Sequence, residues 1–116
     1  MPPHPPILEV RFYATEQGRE PVRDWLKSLP PESRKAIGED IKTVQFGWPL
    51  GMPLVRKMDM RLWEVRSTID AGIARVLFTT SGPTMVLLHG FVKKSDKTPK
   101  DDLKLAARRA KEIHHG

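Results

Sequence analysis

Apolar and polar residues alternate along Ile7-Leu-Glu-Val-Arg-Phe-Tyr13, with Leu8, Val10 and Phe12 on one side, which is the period of a half-buried strand. The period then changes. Val22, Trp25, Leu26 and Leu29 recur at i, i+3, i+4 and i+7 behind Pro21, a residue suited to the first turn of a helix. Pro30-Pro31 ends that helix and opens a second, whose apolar stripe is Ile37, Ile41 and Val44 and whose end is expected near Gly47. Two helices joined this tightly are expected to pack as an antiparallel hairpin.

From Val55 onward the alternation returns. Leu62-Trp-Glu-Val-Arg66 and Ala74-Arg-Val-Leu-Phe-Thr79 flank residues 67–73, where Asp70 and Gly72 suit a hairpin turn. Trp63, Val65, Val76 and Phe78 are expected to face the helical hairpin. Ser81-Gly-Pro83 makes a second turn into Met85-Val-Leu-Leu-His-Gly-Phe91, so continuously apolar that it reads as a central strand. A basic loop over residues 93–97 follows. Thr98 and Pro99 read as the N-cap and first residue of a last helix, with Asp101 in its first turn and Leu103, Ala106, Ala107 and Ala110 as its buried stripe. This order predicts an α+β fold: a small, mainly antiparallel sheet with an N-terminal helical hairpin on one face and a C-terminal helix. A single domain over residues 1–116 is expected, with residues 1–6, Met-Pro-Pro-His-Pro-Pro, as a mobile Pro-rich arm.

Composition narrows the class. With 39% hydrophobic and 29% charged residues, the 116-residue chain has the balance of a globule with one core. There is no cysteine, which excludes a disulfide scaffold, a thiol nucleophile and cysteine-based zinc sites, and fits a cytoplasmic location. No apolar run approaches the roughly 20 residues that span a bilayer, so no membrane partner is expected. The N-terminus lacks the basic and apolar regions of a signal peptide. Gly47 and Gly51 flank Trp48-Pro-Leu50, a turn and not a nucleotide cradle, and no His/Asp/Glu set has metal-ligand spacing, so no cofactor is expected. Lys+Arg 20 against Asp+Glu 14 leaves a net charge of +6, a surplus suited to an anionic partner.

The candidate chemistry lies on the strands. Period two puts Glu64 and Arg66 on one face, opposite Trp63 and Val65, and Arg75 lies across the hairpin. Taken alone these make a surface ion pair of small energetic weight. With Lys93, Lys94 and Lys97 leaving the neighbouring strand, they would form a concave, solvent-facing basic site. His89 sits in the apolar strand, where a histidine is more often structural than catalytic. It is also the central histidine of the chain, and histidine is the side chain best suited to proton transfer at neutral pH. His4, His114 and His115 fall in segments expected to fray.

These residues resemble a known family. Leu62-Trp-Glu-Val-Arg66, Ala74-Arg75 at the start of the next strand, and Leu87-Leu-His-Gly-Phe-Val-Lys-Lys-Ser-Asp-Lys-Thr-Pro99 look like the phage-derived HigB-like branch of the RelE/ParE toxin superfamily. Phe12-Tyr13, Gly18, Pro21-Val22, Ala106 and Arg109 fit as well, so the resemblance covers nearly the whole chain. It implies a RelE-like fold whose sheet cradles the site, with the helical hairpin behind. It also implies the toxin of a type II toxin–antitoxin system: an endoribonuclease, or mRNA interferase, acting on messenger RNA at the translating ribosome. Cleavage there is a metal-independent attack of the ribose 2′-hydroxyl on the adjacent phosphate, and a HigA-like helix-turn-helix antitoxin neutralises the toxin. Residue by residue, Arg66 and Arg75 match the family's strand arginines. Lys93, Lys94 and Lys97 match its basic loop and are expected to bind RNA, the first two also in the catalytic set. His89 and Glu64 are the candidate proton acceptors. The best-known members place an aromatic residue or a second histidine near the C-terminal end of the site, whereas here no aromatic follows Phe91. Base stacking would fall to Phe91, Trp48 or Trp63. A ParE-like gyrase inhibitor and a non-catalytic phage or plasmid accessory binding protein are the alternatives, since function belongs to the site and not to the fold.

Overall fold

A computed structural model of the chain describes residues 5–115. Its elements are β1 (Glu9–Phe12), α1 (Pro21–Ser28), α2 (Pro31–Gly47), β2 (Val55–Asp59), β3 (Leu62–Ile69), β4 (Gly72–Ser81), β5 (Thr84–Lys93) and α3 (Lys100–His115). The strands form one sheet in the order β1-β5-β4-β3-β2, with β1 parallel to β5 and every other pair antiparallel. This is the α+β arrangement that the patterning predicts. Of the expected Pro-rich arm, residues 1–4, including His4, lie outside the described residues, and Pro5 and Pro6 are exposed and irregular. Among the described residues no helix is long and apolar enough to cross a membrane.

Proline opens both early helices, where its missing N–H is no loss. Their apolar stripes meet in one core against the sheet. α1 lies chiefly on β5 and β1, and α2 on β3, so the two helices cover neighbouring parts of one sheet face. Val22, Ile37, Ile41 and Val44 are buried there against Val65, Val76, Phe78 and Leu87, so the predicted inward face of β3 and β4 is the one found. Trp63 joins this layer: its ring lies 5.1 Å from that of Trp48, edge on, and 5.9 Å from that of Phe78, stacked. The two tryptophans are therefore taken up by the core. Gly90 of β5 sits directly beneath α1, where a Cβ would lie 2.3 Å from Cε3 of Trp25, so only glycine fits.

The opposite face carries α3. Leu62, Leu77, Val86 and Leu88 pack against Ala106 and Ala110, whose small side chains let the helix approach closely. The Tyr13 hydroxyl donates to Glu112 Oε2 at 2.6 Å, and Arg109 donates to the Leu88 carbonyl at 2.8 Å with its guanidinium over the Tyr13 ring. The expected fraying of His114 and His115 is absent: α3 runs to His115, and His114 Nε2 lies 2.9 Å from Thr79 Oγ1 because Ala110 and Ile113 dock the last turns.

Two local departures from the expected pattern lie where β5 leads into α3. The helix starts at Lys100, after the expected N-cap: the Leu103 N–H bonds the Pro99 carbonyl, and Thr98 lies in the preceding loop with its hydroxyl donating elsewhere. In β5 the register slips by one residue. Leu77 pairs with His89 but Phe78 pairs with Leu87, which leaves Leu88 as the extra residue of a bulge. Strict alternation from Met85 and Leu87 would put His89 under α1 and α2. The bulge turns it to the α3 face.

Candidate active site

Two cross-strand rows meet on that face. Arg66, Arg75 and Phe91 share one register across β3, β4 and β5, and Glu64, Leu77 and His89 share the next. With adjacent strands about 4.8 Å apart, each row spans about 10 Å. Together they occupy the corner of the sheet where β5 leads into residues 94–99 and α3 begins.

His89 is tied to the helix. Its Nε2 lies 2.6 Å from Asp102 Oδ1, and the Phe91 ring stacks beside it at 5.6 Å, with 18% of the imidazole side chain still exposed. An imidazole whose Nε2–H is held by a carboxylate keeps Nδ1 as an acceptor, which is what a general base requires. Asp102 was not among the residues singled out by sequence, which pointed to Asp101 in the same turn. Nothing short of the bulge and the helix phase could have found it.

Arg75 departs most from expectation. It is entirely buried, not solvent-facing, because residues 94–99 fold over it. Nη1 donates to the Lys97 carbonyl at 2.8 Å, Nη2 donates to the Ser95 carbonyl, and Nε has no partner. Burial pushes the Arg75 guanidinium below the usual arginine range; Glu64 opposes this, Arg66 adds to it, and Asp96 opposes it. Glu64 is also fully buried. Its Oε2 accepts from the Thr98 hydroxyl at 2.6 Å, its Oε1 lies 3.8 Å from Arg66 Nε, and Oε1 makes no hydrogen bond. No substrate atom reaches either Glu64 or Arg75 in this arrangement.

Arg66 is different. Its side chain keeps 12% exposure and reaches the exposed Asp96 through long contacts, 3.3 Å to the carbonyl and 3.4 Å to Oδ1. Lys93, Lys94 and Lys97 are exposed, and among the described residues none of their ammonium groups has a carboxylate partner. The structure thus gathers His89, Phe91, Arg66 and the basic loop at one corner, over a buried floor of Glu64 and Arg75. A groove of about 630 Å³ flanks Arg66 on the other side, with Glu39, Asp40 and Asp96 in its walls. A separate cavity of about 260 Å³ lies towards the far end of α3, among Met60, Leu62 and Ala110.

Residues 24–111 match the model of the family described as Phage derived protein Gp49-like (DUF891), and the chain belongs to that family, which is RelE/toxin-like. No curated protein matches the chain.

Proposed function

We propose that this protein is a HigB-like toxin of a type II toxin–antitoxin system: a cytoplasmic endoribonuclease that cuts messenger RNA on the translating ribosome. The observation that carries the reading is the sheet face itself, where a carboxylate-held histidine on β5 and a partly exposed arginine two strands away on β3 flank a loop with three exposed lysines. The chemistry such a corner can perform needs no metal. His89 takes the proton of a ribose 2′-hydroxyl, the 2′-oxygen bonds to the adjacent phosphorus, and the bond to the 5′-oxygen breaks. A 2′,3′-cyclic phosphate and a 5′-hydroxyl remain, the second proton coming from water or from Lys93, which ends β5 ahead of residues 94–99. Arg66, after exchanging the weak Asp96 contact for a phosphate oxygen, stabilises the charge that develops at phosphorus. Lys93, Lys94 and Lys97 hold the neighbouring phosphates, and Phe91 offers the aromatic surface of the site. The acidic groove on the other flank of Arg66 repels a phosphodiester, which favours a strand path over the lysines.

The same charge calls for an acidic antagonist, and a HigA-like helix-turn-helix antitoxin encoded beside the toxin would supply one. The test is induced expression with primer extension on a translated reporter mRNA, with and without the neighbouring gene. Wild-type protein should cut the reporter and arrest growth, the neighbour should restore growth, and His89→Ala should slow cutting about 10²–10⁴-fold. A folded wild-type protein that leaves the reporter intact on translating ribosomes would refute the nuclease reading.

A further inference from the structure

Residues 95–98 are gripped one after another from below. The Ser95 carbonyl accepts from Arg75, Asp96 meets Arg66 through both its carbonyl and its carboxylate, the Lys97 carbonyl accepts from Arg75, and the Thr98 hydroxyl donates to Glu64. These contacts differ in kind. Those of Arg66 are long and solvent-reachable, whereas those of Arg75 and Glu64 come from side chains with no exposed surface. A guanidinium that bridges two carbonyls two residues apart fixes the backbone between them, since its planar fork allows one geometry. The side chains of Lys94 and Lys97 remain exposed on that fixed segment.

We infer that Arg75 is a positioning residue: with Glu64 it holds residues 95–98, so that Lys94 and Lys97 present their ammonium groups in register with successive phosphates of an RNA strand. What the lysines bind rests on the function proposed above. That the segment is held does not. Arg75 touches no phosphate, and its effect on RNA passes through the backbone of Ser95 and Lys97.

The experiment uses the full chain carrying Arg75→Lys, which keeps the charge but cannot make both bonds, and Thr98→Val, which removes only the Glu64 bond. Three quantities are read: backbone order parameters of residues 95–97 without RNA, binding of a short single-stranded 2′-O-methyl RNA across a salt series, and single-turnover cleavage on programmed ribosomes at saturating RNA. In Arg75→Lys the order parameters should fall from about 0.85 to below about 0.6. RNA affinity should weaken about 10-fold with a shallower salt dependence, by about one phosphate contact. The saturating cleavage rate should stay within about 3-fold of wild type, the signature of lost binding and not of lost chemistry. Thr98→Val should move the same quantities in the same direction by less, and it decides the matter if Arg75→Lys does not fold. Unchanged order parameters in the folded variants would overturn the inference. So would a saturating rate reduced about 10²–10³-fold with residues 95–97 still rigid, which would put Arg75 on the reacting phosphate. A wild-type protein that neither binds nor cuts RNA removes the nuclease reading and the lysines' role in register with phosphates. The holding of the segment is still judged from the order parameters.

Discussion

Gly90→Ala tests how β5 and α1 meet, because its two contributions have opposite signs. In an open strand, alanine in place of glycine stabilises by roughly 0.5–1 kcal/mol, since glycine loses more backbone freedom on folding. Here the added Cβ would lie 2.3 Å from Cε3 and 2.4 Å from Cζ3 of Trp25. Carbon atoms in ordinary contact sit about 3.5–4.0 Å apart, so the indole must retreat by more than about 1 Å or β5 must bend. The atoms in the way belong to a rigid ring packed against the core, which leaves few rotamers to escape into. Overpacking of this kind costs about 1–3 kcal/mol and outweighs the backbone gain. Urea unfolding followed by far-UV circular dichroism should show a lower midpoint at unchanged m-value. The melting temperature should drop by roughly 4 °C for each kcal/mol lost in a domain near this size. The decisive step is the Trp25→Ala background, where Gly90→Ala should become neutral or mildly stabilising. A Gly90→Ala protein more stable than wild type, or an equal loss without the indole, would refute the placement of Trp25 over Gly90.

Trp63→Ala should cost about 3–5 kcal/mol and give largely insoluble protein, because it opens the Trp48–Trp63–Phe78 cluster; a soluble variant melting like wild type would reverse the assigned sheet faces. Tyr13→Phe should cost about 1 kcal/mol at neutral pH by removing the bond to Glu112. That bond, then burial, raises the Tyr13 pKa above its usual 10.0, so the wild-type advantage is complete below that pH and is lost as pH rises through the higher folded value; melts of both proteins from neutral to strongly alkaline pH should converge. Burial first, then Arg61 and His115, lowers the His114 pKa below 6.5, so its contribution is present above that value and is lost as pH falls through the lower folded value. His114→Gln should therefore flatten the acid side of the stability curve, and an unchanged slope below pH 6.5 would show that His114 titrates alike in the folded and unfolded chain.

Much of the fold was legible because alternation is a local signal. Trp63, Val65, Val76 and Phe78 share a face by period two, and burial follows from that face being apolar. The bulge had no such signature. Met85, Val86, Leu87 and Leu88 are all apolar, so one extra residue leaves the pattern unchanged while it moves His89 to the other side of the sheet. The helix stripes were legible in the same way, though a stripe shows that a face will be buried and not which strands will bury it. The same gap explains Arg75. Its position in β4 tells which face it occupies, and only the path of residues 94–99 tells that the face is roofed there.

The roof also explains why two full charges lie beneath it. A buried ion pair is seldom worth more than a well-packed apolar pair of the same volume, because desolvation offsets the attraction. Glu64 and Arg75 do worse than that on stability alone, since they form no direct ion pair with each other and Oε1 of one and Nε of the other make no hydrogen bond. What they provide that leucine could not is direction: one carboxylate aimed at the Thr98 hydroxyl and one guanidinium spanning the carbonyls of Ser95 and Lys97. An apolar floor would cover the same area and leave the 95–98 backbone free to slide. The buried charges therefore make more sense as the means of fixing where the lysines stand than as a source of stability.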